Sequence, residues 1–242
     1  MIDPAGFPIG LPRKMAWAFF EGYDRQVSRT GGWLATPRAF CILSGGRAAG
    51  AQGGRHMRDY STISLADARR DYLATSTTAM PIAGLIAWSA LALSAYILGD
   101  RLPDFAPFIA AAIPFPLALL IDRLRGAPGI RADSRRNPVT QLFMRFITVV
   151  GLLIPFVIIA AQAAGSLDLL ILGIAILAGL VWVPHGWGAD DPAGFIHFAM
   201  RAIVCYAAYL LAPDGVRGAA IAGAAALTYV YAIAAMRKPA TA

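Results

Sequence analysis

Charged residues are scarce in this chain: they make up 14% of its 242 residues, against 58% hydrophobic. A soluble domain carries about 25% charged residues, so a soluble cytosolic enzyme is excluded first. Cysteine is nearly absent as well. The two present, Cys41 and Cys205, lie in regions of different character, which leaves no disulfide framework and no thiol-based metal or redox motif. Cys205 reads as a small packing residue. Also missing are an HExxH pair, a Gly-rich phosphate loop between strand and helix, and alternation of the barrel-strand kind. His185 and His197 stand twelve residues apart with no third ligand at a recognisable spacing. No metal or other cofactor is therefore expected, and no nucleic-acid partner.

What the chain has instead is long apolar runs. About 20 mostly apolar residues are needed to cross the ~30 Å hydrocarbon core, and from Leu73 onward six candidates occur, roughly 74–98, 104–121, 139–163, 168–184, 195–212 and 216–236. The expected fold class is all-α, a polytopic membrane helix bundle of six transmembrane helices. Pro81, Pro114, Pro116 and Pro155 fall within runs and predict kinks. Pro103, Pro138 and Pro213 fall at or near boundaries and punctuate them.

The 21 Lys+Arg and 14 Asp+Glu give a net charge of +7 that is unevenly placed. Ten Lys+Arg precede the first run, Arg123, Arg125, Arg131, Arg135 and Arg136 separate the second from the third, and Arg237 and Lys238 follow the last. The opposite loops carry only Arg101 and Arg217. Basic residues stay on the cytoplasmic side, so both termini are expected there, in a bacterial cytoplasmic (inner) membrane. The loop Gly186 to Gly194 is then expected on the cytoplasmic side as well, although it holds Asp190 and Asp191 and no Lys or Arg.

Residues 1–56 read differently, with ten of the 24 glycines, seven Lys+Arg, four prolines and no sustained apolar period. They are too polar for a secretory signal. Two readings stand side by side: a disordered basic arm attracted to anionic lipid, with Trp17, Phe19 and Phe20 beside Arg13 and Lys14 as an interfacial anchor, or an extension upstream of a natural start at Met57. Residues 57–73 form a cytoplasmic amphipathic lead-in, whose helix begins at Ser64 because Ser64 and Asp67 have the spacing of a capping box. Residues 74–236 are then the six-helix domain and 237–242 a cytoplasmic tail.

Chemistry is sought in charges within the membrane, since an arginine at mid-helix costs about 3 kcal/mol unless it snorkels or finds a partner. Arg145 and Arg201 qualify. Each lies about six residues, or ~9 Å, past the start of its span, so snorkelling accounts for either. Arg201 has company: His197 precedes it by four residues and shares its helix face. Asp122 at the end of span two, and Trp182, His185, Trp187, Asp190 and Asp191 after span four, fall at the same end. Together they outline an inward-facing polar vestibule; the plainer account is an aromatic belt with carboxylates neutralising nearby arginines. Gly218, Ala219 and Gly223 give span six a small-residue face for a helix partner.

Several ordered features carry a family likeness: Asp67-Ala68-Arg69-Arg70-Asp71-Tyr72 before span one, Trp88 within it, Phe115-Pro116-Leu117 late in span two, Asn137-Pro138 opening span three, and the Gly-rich end of span four running to Trp187-Gly188. On these the chain, from Asp67 to about Ala235, resembles a family of uncharacterised bacterial multi-pass membrane proteins, a domain of unknown function. Where a Gly-Gly-Arg-Tyr run is expected in span four the chain has Ala178-Gly179-Leu180-Val181, so no role of that arginine is carried over. The resemblance implies topology and bacterial origin, and no activity.

Binding or transport of a small molecule or lipid through the vestibule is the leading functional expectation, with membrane lipids as the surrounding partner. A non-catalytic scaffold or accessory subunit is the first alternative. A membrane-embedded lipid-modifying enzyme, with His197, His185 and Asp190 as its acid and base groups, is the second. Paired broken helices of the inverted-repeat transporters are missing, because all four mid-run prolines lie in the first half of the six-run region.

Overall fold

The computed structural model describes residues 60, 62–127 and 130–237. The arm at 1–56, the start at Met57 and tail residues 238–242 lie outside the described residues. A short helix α1 (Leu65–Ala74) leads into α2 (Met80–Leu98), α3 (Ala106–Ala112), α4 (Pro114–Leu124), α5 (Pro138–Ala163), α6 (Leu167–Leu180), α7 (Trp182–Ala189), α8 (Ala193–Leu211) and α9 (Arg217–Ala235). Because α3 runs into α4 and α6 into α7, six helical stretches are long and apolar enough to span a membrane: Met80–Arg101, Ala106–Leu124, Pro138–Ala163, Leu167–Ala189, Ala193–Leu211 and Arg217–Ala235. Among the described residues there is no strand. The protein is an all-α, polytopic membrane helix bundle.

Capping chemistry sets several boundaries. Ser64 accepts the Asp67 amide at 3.1 Å and donates its hydroxyl to the Asp67 carboxylate at 2.7 Å, starting α1 where the spacing predicts. Asn137 accepts the Val139 amide at 2.9 Å, with Pro138 in the first turn of α5. Ser166 does the same for Leu169 at 3.2 Å, opening α6.

Two expectations are corrected. The first span begins at Met80 rather than 74, because Thr75 and Ser76 turn their hydroxyls back onto the carbonyls of Asp71 and Tyr72, at 2.9 and 2.8 Å, and end α1. Pro81 therefore lies in the first turn of α2, where a missing N–H does no harm. The segment Gly186 to Gly194, expected to be a loop, is helical as far as Ala189. There α7 stops on Asp190, whose φ of 54° is left-handed. The α7 and α8 backbones approach closely: a Cβ on Gly194 would stand 2.4 Å from the Trp182 carbonyl oxygen, and one on Gly186 3.0 Å from the Gly194 Cα. Pro114 does interrupt span two, while Pro155 sits inside a continuous α5.

The core gathers around α9, which packs most extensively on α2 and on α8, with α6 also against it. Its Ile221, Ala222 and Ala225 are fully buried, together with Trp88 of α2 and Ala175 of α6. On the small-residue face, Gly218 abuts Ile171, Ala219 joins the same core and Gly223 looks toward Ala92. Helix α5 is different. Only 6% of its apolar window is buried, against 44% for the Leu167–Ala189 stretch, and Leu152 and Phe156 are each 70% exposed. A soluble monomer does not present so large an apolar face, whereas lipid is its natural solvent.

The glycines give a test of this packing. A Cβ on Gly84 would fall 2.3 Å from the Tyr229 ring, while one on Gly223 meets nothing nearer than 3.9 Å. Gly84→Ala should lower the melting temperature of the detergent-purified protein, losing about 1–3 kcal/mol to overpacking. Gly223→Ala should leave it unchanged or raise it slightly through helix propensity.

Candidate functional site

Arg201 on α8 is fully buried in the middle of the bundle. Its Nε donates to the Ala175 carbonyl of α6 at 2.8 Å. The guanidinium carbon stands 4.4 Å from the Trp88 ring centroid and 5.1 Å from that of Tyr229, so aromatic faces from α2 and α9 supply cation–π attraction. Room for the side chain comes from Gly179, where a Cβ would lie 2.6 Å from the Arg201 Cδ. Among the described residues no carboxylate pairs with Arg201, and its two terminal nitrogens, Nη1 and Nη2, have no hydrogen-bond partner. A buried polar group left in this way costs about 1–3 kcal/mol, more when charged.

His197, one turn earlier, is equally buried. Its Nδ1 lies 3.0 Å from the Thr228 carbonyl of α9. A carbonyl can only accept, so Nδ1 carries the proton of this contact. The ring's Nε2 is unpartnered, as is the buried Trp88 Nε1. The ring packs against Trp182 at 5.2 Å and Tyr229 at 5.1 Å. The cluster therefore gathers the donors of Arg201 and Trp88 beside the His197 Nε2, and none of these atoms has a hydrogen-bond partner among the described residues.

His185 sits on the far side of Trp182, 5.4 Å between ring centroids. Its Nδ1 is 2.9 Å from the Tyr72 hydroxyl of α1. A file of rings, Tyr72, His185, Trp182, His197 and Tyr229, thus connects α1 to the buried arginine. Trp182 packs against both histidine rings.

The remaining expected residues lie elsewhere. Asp190 ends α7 and pairs with Arg69 at 2.8 Å. Asp191 accepts the Ala193 amide at 3.0 Å and the Arg237 amide at 2.7 Å, tying the start of α8 to the end of α9. Asp122 is buried in α4 and takes both the amide of Thr78, at 2.8 Å, and its hydroxyl, which pins the approach to α2. Arg145 is exposed on α5. Residues the sequence reading did not place at the site are Trp88, Ala175, Gly179, Thr228 and Tyr229. Aromatic residues within two spans and a glycine facing Arg201 were visible as residues, but not as neighbours.

The pattern of a family of unknown function, DUF7010, matches residues 65–238. The chain belongs to this family. No curated protein and no solved structure matches it. Several of the features on which the likeness rested are contact residues in this DUF7010 chain. Asn137 donates to the Ala68 carbonyl at 2.8 Å and to the Asp71 carboxylate at 3.2 Å. Asp71 also receives the Tyr60 hydroxyl at 2.7 Å and an ion pair from Arg131. A Cβ on Gly188 would come within 2.8 Å of both Tyr72 and Val139.

Burial of Asp71 by itself raises its carboxyl pKa, but hydrogen bonds from Tyr60, Arg131 and Asn137, with the charge of Arg131, outweigh it and hold the group below the usual carboxylate range. A folded pKa below the unfolded value of ~3.9 means the stabilisation is fully present above that pH and is lost as pH falls through the folded value. Asp71→Asn should therefore cost ~2 kcal/mol at neutral pH. It should also flatten the acid side of a melting-temperature profile taken from pH 6 to 3. A variant with the wild-type acid slope would assign that slope to other carboxylates.

Proposed function

We propose that this DUF7010 protein is a bacterial inner-membrane protein with both termini in the cytoplasm, which binds a compact anionic or acidic small molecule at Arg201, Trp88 and His197. The observation that carries the reading is the pair of unpartnered terminal nitrogens on a fully buried arginine. An ionisable group inside a membrane domain is a functional candidate by default. A carboxylate-sized ligand matches it best, since a guanidinium binds two oxygens in parallel. The ring file from Tyr72 through His185 and Trp182 links the α1 end to this arginine. The basic loops support placing that end in the cytoplasm.

A second reading is favoured by the stacking of Trp88 and Tyr229 on the guanidinium and by the Ala175 contact. Here Arg201 is a structural clamp joining α2, α6, α8 and α9 in a non-catalytic scaffold. Arg201→Gln separates the two. For a binding site, native mass spectrometry should find a small retained ligand on the wild type and none on the variant, with the ligand-free melting temperatures close together. Adding acetate or succinate to ligand-free wild type should then raise its melting temperature, since a ligand at 100 times its Kd stabilises by about 2.7 kcal/mol. For a clamp, the variant should melt several degrees lower and neither protein should respond to the acids.

A further inference from the structure

Apart from the arginine core, a pocket of about 710 Å³ opens where α1 meets the ends of α7 and α9. One wall is the α1 stripe Leu65, Arg69 and Leu73, four residues apart and so on one helix face, with Arg70 beside it. Asp190 and Arg237 stand opposite. Three arginines against one aspartate leave the lining with an excess of positive charge. Arg69 lies 4.6 Å over the Trp187 ring and ion-pairs with Asp190 at 2.8 Å, yet its buried Nε has no partner among the described residues. Arg70 is largely exposed and engages Asp67. The side chain of Arg237 is exposed and has no carboxylate partner among the described residues.

The depth of the pocket points to its occupant. Ala189 is the last residue of one span, and Arg237 follows the Ala235 end of another by two residues. Trp187, 44% exposed, marks the same level, where indole rings sit among headgroups. Leu65, 53% exposed, and Leu73 add an apolar lip. We infer that this pocket binds the phosphate of an anionic phospholipid, with Arg69, Arg70 and Arg237 on the phosphate oxygens and the acyl chains leaving past Leu65 and Leu73. A phosphodiester suits paired guanidinium donors, and the apolar lip favours a lipid over free phosphate. Asp190 is the competing anion, which releases Arg69 when the lipid enters. This site does not depend on the reading of Arg201.

The test is native mass spectrometry of the full chain in a non-ionic detergent, titrated with dioleoyl phosphatidylglycerol, dioleoyl phosphatidylcholine or inorganic phosphate. Phosphatidylglycerol should be retained in preference to phosphatidylcholine, and millimolar phosphate should not displace it. Arg70→Gln and Arg237→Gln should each weaken retention about fivefold with unchanged melting temperature. Asp190→Asn should strengthen it, because asparagine accepts the left-handed backbone and removes the competing charge. Equal retention of the two lipids, indifference to Arg70→Gln and Arg237→Gln, or weaker binding by a folded Asp190→Asn would overturn the inference. Displacement by phosphate would overturn the lipid assignment in favour of a soluble phosphate ligand.

Discussion

A positive charge buried with no carboxylate partner among the described residues sets the terms for the middle of this bundle. Arg201 is fully buried and has no carboxylate partner among the described residues, so what holds it comes from dipoles and ring faces. The Ala175 carbonyl supplies the first, Trp88 and Tyr229 the second. Each comes from a different helix, which makes the packing of α2, α6 and α9 around α8 a condition for holding the charge. Gly179 matters for the same reason: any larger residue there would occupy the space of the Arg201 side chain. Two terminal nitrogens remain without a partner among the described residues after all of this, at a cost of about 1–3 kcal/mol or more.

Polar chemistry of a different kind organises the α1 end. Asp71 is buried, but it collects a hydroxyl, an amide and a guanidinium, so its burial is compensated. Asn137 belongs to this network and also caps α5, so a single residue fixes both the start of a span and the position of α1. Close backbone approach at Gly186 and Gly194 brings α7 against α8 at the same end, which places His185 and Trp182 between Tyr72 and His197. The two ends of the ring file thus differ in character: one is satisfied by partners, the other is not.

Helix number and approximate limits were legible because they depend on local quantities. The length of an apolar run, a serine three residues before an aspartate, and a proline at a first turn act within one helix, and α5, α8 and α9 start and stop within about two residues of expectation. Boundaries failed where side chains from elsewhere intervened. The late start of α2 follows from Thr75 and Ser76 bonding backward and from Asp122 reaching Thr78 across 44 residues of sequence. Helical continuation to Ala189 depends on glycine contacts with α8 that no window of α7 reports.

For the polar residues, sequence alone determined that Arg201 and His197 share a helix face inside an apolar run, since 3.6-residue periodicity requires it. It also determined that the chain solves the problem of backbone hydrogen bonds in lipid with helices, because runs of that length leave no other choice. Which acids stay away from Arg201 was decided only in three dimensions. Asp190, Asp191 and Asp122 were expected near it, yet each found a nearer donor: Arg69, two helix-end amides, and Thr78. The reason is physical. A carboxylate is captured by whichever donors the packed backbone brings within 3 Å or so, and that distance is a property of neighbouring helices, not of spacing along one of them.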